Sequence, residues 1–104
     1  MAAVMGHQKR ATPARMSVIL SPEAIADLQH IRTYIARDNP DAASRVAVRL
    51  VAACDGLEFM PNRGWPGRDP VTRELPVRPY LSVYRVKAGA VEIVRIWHMV
   101  QSRE

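Results

Sequence analysis

Six residues in the second half of the chain have side chains suited to chemistry: Arg73, Tyr80, Tyr84, Arg95, Trp97 and His98. A histidine moves protons near neutral pH, and an arginine holds an anion in a rigid fork of donors. A tyrosine hydroxyl both donates and accepts. Each residue also has a structural alternative. Arg73 sits beside Glu74 and near Asp69, so an ion pair competes with anion binding. Tyr80 and Tyr84 suit packing on a half-buried strand. Arg95 suits a cation–π contact with an aromatic neighbour, or contact with a partner. His98 ends an apolar run, where a structural or partner-contacting role competes with catalysis.

These residues need a scaffold, and the sequence outlines one. Met16 to Leu20 is a short apolar run, read as a first strand. Ser21-Pro22-Glu23 follows as a helix start: a capping hydroxyl, a proline at the first position and an acid in the first turn. Ile25, Leu28, Ile31 and Ile35 recur at helical spacing and predict one buried stripe, with Asp27, Arg32 and Arg37 off it. Pro40 forbids a continuous helix through Asn39. A second helix therefore starts at Asn39-Pro40-Asp41, with a stripe of Ala43, Val46, Ala47, Leu50, Cys54 and Leu57. The connection is so short that the two helices must form an antiparallel hairpin. Arg45 and Arg49 read as a solvated helix face.

Met60 to Pro70 is rich in proline and glycine and reads as a loop holding Trp65. Arg73 to Val77 is a second strand, and Tyr80 to Lys87 with Ala90 to His98 form a β-hairpin across Ala88-Gly89. Pairing Lys87 with Ala90 sets Arg85 opposite Glu92, Val83 opposite Val94, Leu81 opposite Ile96 and Tyr80 opposite Trp97. Ionic, aliphatic and aromatic pairs emerge from that single register. It predicts that Leu81, Val83, Val94 and Ile96 face the helices. Tyr80, Ser82, Tyr84, Arg95 and Trp97 would share the other, partly exposed face. The fold class is thus α+β: a short N-terminal strand and a two-helix hairpin packed on a small antiparallel sheet.

Composition sets the bounds. A chain of 104 residues suits one domain with a modest core. No apolar run approaches the roughly 18 residues that span a bilayer. Residues 1–15 lack the apolar stretch of a secretory signal. A lone Cys54 has no internal disulfide partner and fits a small core residue. A cytoplasmic protein without metal or cofactor is expected, with no membrane partner. The net charge of +5 comes from 15 Lys+Arg against 10 Asp+Glu, but Lys9, Arg10 and Arg15 supply three of the positive charges. From Met16 onward the balance is 12 − 10 = +2, too small for a generic nucleic-acid-binding globule. Residues 1–15 read as a flexible extension to a domain covering 16–104.

Several phrases occur in a familiar order: Ile31 to Pro40 with Asp41-Ala42-Ala43, Gly64-Trp65-Pro66-Gly67-Arg68, and Thr72-Arg73-Glu74-Leu75. Pro79-Tyr80-Leu81-Ser82-Val83-Tyr84-Arg85-Val86 and Val91 to His98 complete the set. Together they closely resemble the RelE/ParE superfamily of bacterial type II toxin–antitoxin toxins, nearer to ParE. The resemblance implies a growth-inhibiting toxin, neutralised by a cognate antitoxin whose disordered segment orders on binding.

The resemblance also implies a choice of target. ParE-like members poison DNA gyrase and are not nucleases. RelE-like members cut mRNA on the ribosome, which needs a base, an acid and cations around the scissile phosphate. On the second reading Arg73 and Arg95 would steady the phosphate and His98 would act as acid or base. The basic cluster expected of a nuclease is thin here, because the sheet region has a single lysine, Lys87, at the hairpin tip. The gyrase reading therefore leads, and Tyr80, Tyr84, Arg95, Trp97 and His98 become candidate contacts to target or antitoxin. An inactive homologue that only binds antitoxin is the third possibility.

Overall fold

The computed structural model describes residues 16–102. The flexible extension expected at residues 1–15 lies outside them. Strand β1 (Ser17–Leu20) leads into α1 (Pro22–Ala36) and α2 (Pro40–Asp55), followed by a 3₁₀ turn at Gly56–Glu58. Then come β2 (Trp65–Pro66), β3 (Arg73–Val77), β4 (Tyr80–Lys87), β5 (Ala90–His98) and a one-turn helix α3 (Met99–Ser102). The five strands lie in the order β1-β5-β4-β3-β2, with β1 parallel to β5 and the other pairs antiparallel.

Local chemistry starts both helices where the sequence places them. Ser21 Oγ accepts from Ala24 N at 3.0 Å, and Asn39 Oδ1 accepts from Ala42 N at 3.0 Å. A proline occupies the first turn of each helix, where a missing N–H costs nothing. The α2 stripe forms as expected, with Ala43, Leu50 and Cys54 buried and Leu57 buried just beyond it. The α1 stripe is rotated: Ala24 is fully buried, Leu28, Ile31 and Ile35 pack against the core, and Ile25 is exposed.

The sheet departs from the expected register at one residue. Lys87 pairs with Ala90, Arg85 with Glu92 and Tyr84 with Ile93, but Val83 then pairs with Arg95. Val94 is the extra residue of a β-bulge, so the alternation of β5 changes phase there. Val91 and Ile93 before the bulge and Ile96 after it all point into the core. On β4, Tyr84 and Ser82, the partners of Ile93 and Ile96, point inward together with Tyr80, while Leu81, Val83, Arg95 and Trp97 take the outer face. The sequence-based faces of β4 were therefore inverted. Leu81 lies opposite Trp97 rather than Ile96, and Tyr80 opposite His98 rather than Trp97.

Ser21 holds the bulge in place. Its N–H donates to Ile93 O at 2.9 Å and its hydroxyl donates to Val94 O at 2.9 Å. Beyond Leu20 the chain turns into α1 and leaves the outer edge of β5 without a neighbouring strand. The core between hairpin and sheet joins Ala24, Leu50, Cys54 and Leu57 to Leu75, Val77, Tyr80, Tyr84, Val91, Ile93 and Ile96. The Cys54 thiol, 3.5 Å from Ser82 Oγ, is pushed up by burial and is a packing group, as expected. No helix among the described residues is long and apolar enough to cross a membrane.

Candidate functional site

The loop before β3 is fixed from inside by two of the candidate residues. Tyr84 is fully buried; its hydroxyl donates to Pro61 O at 2.7 Å and accepts from Gly64 N at 3.0 Å. Arg73 faces the same side and donates to Asn62 O at 3.0 Å and to Gly64 O. The backbone at Gly64 comes so close that a Cβ there would lie 2.5 Å from Glu74 O and 2.9 Å from the Tyr84 hydroxyl. The ion pair considered for Arg73 does not form. Glu74 instead accepts from Trp65 Nε1 at 3.0 Å, and Asp69 accepts from Val71 N at 3.0 Å within its own turn. Trp65 belongs to β2, a two-residue strand that the proline-rich loop conceals in the sequence.

The outer face carries Arg95 and Trp97. The Arg95 guanidinium lies 5.1 Å from the Trp97 ring centroid, in cation–π range. It also donates to Asp27 through Nε at 2.7 Å and Nη2 at 3.0 Å. Asp27 Oδ2 accepts a third bond, from Ile96 N at 2.9 Å. One carboxylate on α1 thus caps the edge of β5 that β1 does not reach. The Asp27 bonds push the Arg95 guanidinium above its ordinary value, with partial burial opposing them. Sequence reasoning missed Asp27 and set it aside as off the helix stripe. Its sole signal was a carboxylate directly before Leu28, at the margin of the buried face.

A third group of side chains gathers where β4 begins and β5 ends. The Tyr80 and His98 rings meet edge to face with centroids 5.5 Å apart. His98 Nδ1 accepts from Val100 N at 3.2 Å, so the neutral ring carries its proton on Nε2. Arg49 on α2 donates to the carbonyl of Arg78, in the turn between β3 and β4. Arg78 Nη1 lies 3.9 Å from Met99 Sδ. Burial pushes the Tyr80 hydroxyl up, nearby Tyr34 adds to that, and Arg49 opposes it. Arg37 lies over the Tyr34 ring at 5.8 Å.

The candidate residues are thus divided among three places. Arg73 and Tyr84 hold the loop, Arg95 and Trp97 stack outside, and Tyr80 and His98 close one end of the sheet. Among the described residues no three His, Cys, Asp or Glu side chains are grouped to hold a metal.

Known proteins resemble this chain over most of its length. The chain is 42% identical to Toxin RelE2 of Caulobacter vibrioides, with 78% of this chain and 92% of that protein covered. Among solved structures, the chromosomal ParDE TA system from P. aeruginosa superposes with a TM-score of 0.73 at 29% identity, covering 82% of this chain and 97% of that one. The toxin–antitoxin complex RelBE2 from Mycobacterium tuberculosis shares the fold, with a TM-score of 0.58 at 23% identity over 82% of this chain and 92% of that one. The sequence model of the family described as "ParE toxin of type II toxin-antitoxin system, parDE" matches residues 18–103, from β1 through α3. With the helical hairpin, the sheet order and the family signature in agreement, the chain belongs to the ParE toxin family of type II toxin–antitoxin systems.

Proposed function

We propose that this toxin inhibits DNA gyrase without acting as an enzyme, and that a cognate antitoxin neutralises it in a hetero-oligomeric complex. One observation supports the non-enzymatic reading above others. The three groups that a nuclease would bring together lie in separate contacts. Arg73 donates to the loop carbonyls of Asn62 and Gly64, Arg95 is held by Asp27, and His98 packs against Tyr80 on the opposite face from Arg95. Acid–base cleavage needs its proton-transfer group and its cations around one phosphate. The test is a gyrase supercoiling and cleavage assay on the toxin released from its antitoxin. Supercoiling should fall and cleaved DNA should accumulate, and both effects should reverse on adding antitoxin. Unchanged supercoiling at a large toxin excess overturns the proposal.

A ribosome-dependent mRNA endonuclease is the second reading, favoured by the name of the RelE2 relative and by one detail of His98. With Nδ1 occupied by Val100, Nε2 is the ring nitrogen available to move a proton. On this reading His98→Ala abolishes toxicity while the fold persists. Undiminished growth arrest by that variant removes the assignment.

A further inference from the structure

The end of the sheet formed by Arg49, Arg78, Tyr80 and His98 has more donors than the fold uses. Arg49 commits one of its five N–H donors to the Arg78 carbonyl. Among the described residues the Arg78 side chain has only the weak sulfur contact with Met99. The Tyr80 ring is buried, and its hydroxyl makes no hydrogen bond among the described residues without being a buried orphan. Nε2 of His98 has no hydrogen-bond partner there either. Tyr34 on α1, two-thirds exposed, stands beside Tyr80, with Arg37 over its ring. The ion pairs among the described residues are Arg85 and Lys87 with Glu92, and Arg95 with Asp27. None involves Arg37, Arg49 or Arg78.

Donors gathered with so few acceptors among the described residues call for an anion. We infer that this end of the sheet receives an acidic side chain of the antitoxin, its carboxylate held by Arg49 and Arg78, with Tyr80 and His98 donating at the rim and Tyr34 flanking it. The inference rests on the reading that an antitoxin is the partner. A carboxylate suits the site better than a nucleic-acid backbone does. Arginine binds a carboxylate through two parallel bonds, and one such anchor needs only a local pair of cations. A nucleic-acid strand carries a charge at every nucleotide and needs a row of cations, whereas the domain from Met16 onward has a net charge of only +2.

The test is calorimetric titration of the full-length toxin with the full-length antitoxin encoded beside its gene, for wild type, Arg78→Ala and Arg78→Glu. Both substitutions keep the backbone carbonyl that Arg49 holds, so the melting temperature should stay near that of wild type. Affinity should fall roughly 10- to 100-fold for Arg78→Ala, and further for Arg78→Glu. Among antitoxin variants with single Asp or Glu residues changed to Lys, one should restore most of the Arg78→Glu loss, which only direct contact can do. Wild-type affinity in both toxin variants overturns the inference. So does a loss that no antitoxin charge change repairs, and so does a loss confined to binding of a labelled oligonucleotide. No binding by wild type overturns the antitoxin reading itself, which is a separate outcome.

Discussion

Two polar regions of this small sheet are built from the same residue types and differ in how far they are satisfied. At the loop, the Tyr84 hydroxyl and Arg73 Nη2 donate to the carbonyls of Pro61, Asn62 and Gly64, and Arg73 Nε is the one buried side-chain donor among the described residues left without a partner. At the opposite end, among the described residues, the Arg78 side chain reaches only Met99 Sδ and the Tyr80 hydroxyl reaches no acceptor. Both tyrosines lie on β4, four residues apart and on the same face. A buried polar group without its partner costs free energy, so satisfied clusters stabilise the fold. Donors left facing an open rim hold it together less and suit a ligand. The contrast assigns stability to the first region and recognition to the second.

The widest separation should appear when one chemical change is made in both regions. Tyr84→Phe removes a buried hydroxyl and strands the Gly64 N–H and the Pro61 carbonyl, which should cost about 3 kcal/mol. Tyr80→Phe removes a hydroxyl with no protein partner and should change stability by less than about 0.5 kcal/mol. Urea unfolding of the two variants gives the difference directly. Equal losses would erase the distinction between the regions.

A smaller effect is expected where the two kinds of region meet. Asp27 is saturated by Arg95 and Ile96, yet Arg95 stacks on the outer face beside Trp97. Asp27→Ala exposes the edge of β5 and releases Arg95, and should cost about 2 kcal/mol. Hydrogen exchange should then accelerate at the Ile96 amide and leave the Val91 amide protected. Uniform acceleration would mean that Asp27 supports the whole core and not one strand edge.

The parts of the fold legible in the sequence are those decided within a few residues. Ser21 and Asn39 cap the residues three positions ahead, Pro40 breaks the helix at once, and Arg85 meets Glu92 across a tight turn. What escaped is decided by distant partners. The Val94 bulge depends on Ser21, and the β5 edge on Asp27, 68 residues from Arg95. Strict alternation along β5 cannot place Ile93 and Ile96 on one face, so the face assignment failed at the bulge. Arg49 read as solvated surface because its acceptor, the Arg78 carbonyl, lies 29 residues away and is a backbone atom. The candidate site was half legible: Tyr80 and His98 stood out by residue type, whereas Arg49 came from a helix face that looked ordinary and Arg78 from the turn between β3 and β4.

The hairpin tip sharpens the comparison at its weakest point, because its ion pairs are satisfied but solvent-exposed. Glu92 accepts from Arg85 at 2.7 Å and from Lys87 at 3.3 Å, and these partners hold its carboxyl below the usual carboxylate range. A carboxyl whose folded pKa is lowered contributes stability above its unfolded pKa and loses it as pH falls through the folded value. Glu92→Gln should therefore destabilise the protein slightly at pH 7. The difference from wild type should shrink as pH drops below the ordinary glutamate value and vanish once Glu92 is protonated in both states. Exposed pairs are weakened by salt, so 1 M NaCl at pH 7 should reduce the same difference. A Glu92→Gln penalty that persisted at low pH and high salt would come from packing of the glutamate stem at the hairpin tip, not from its charge.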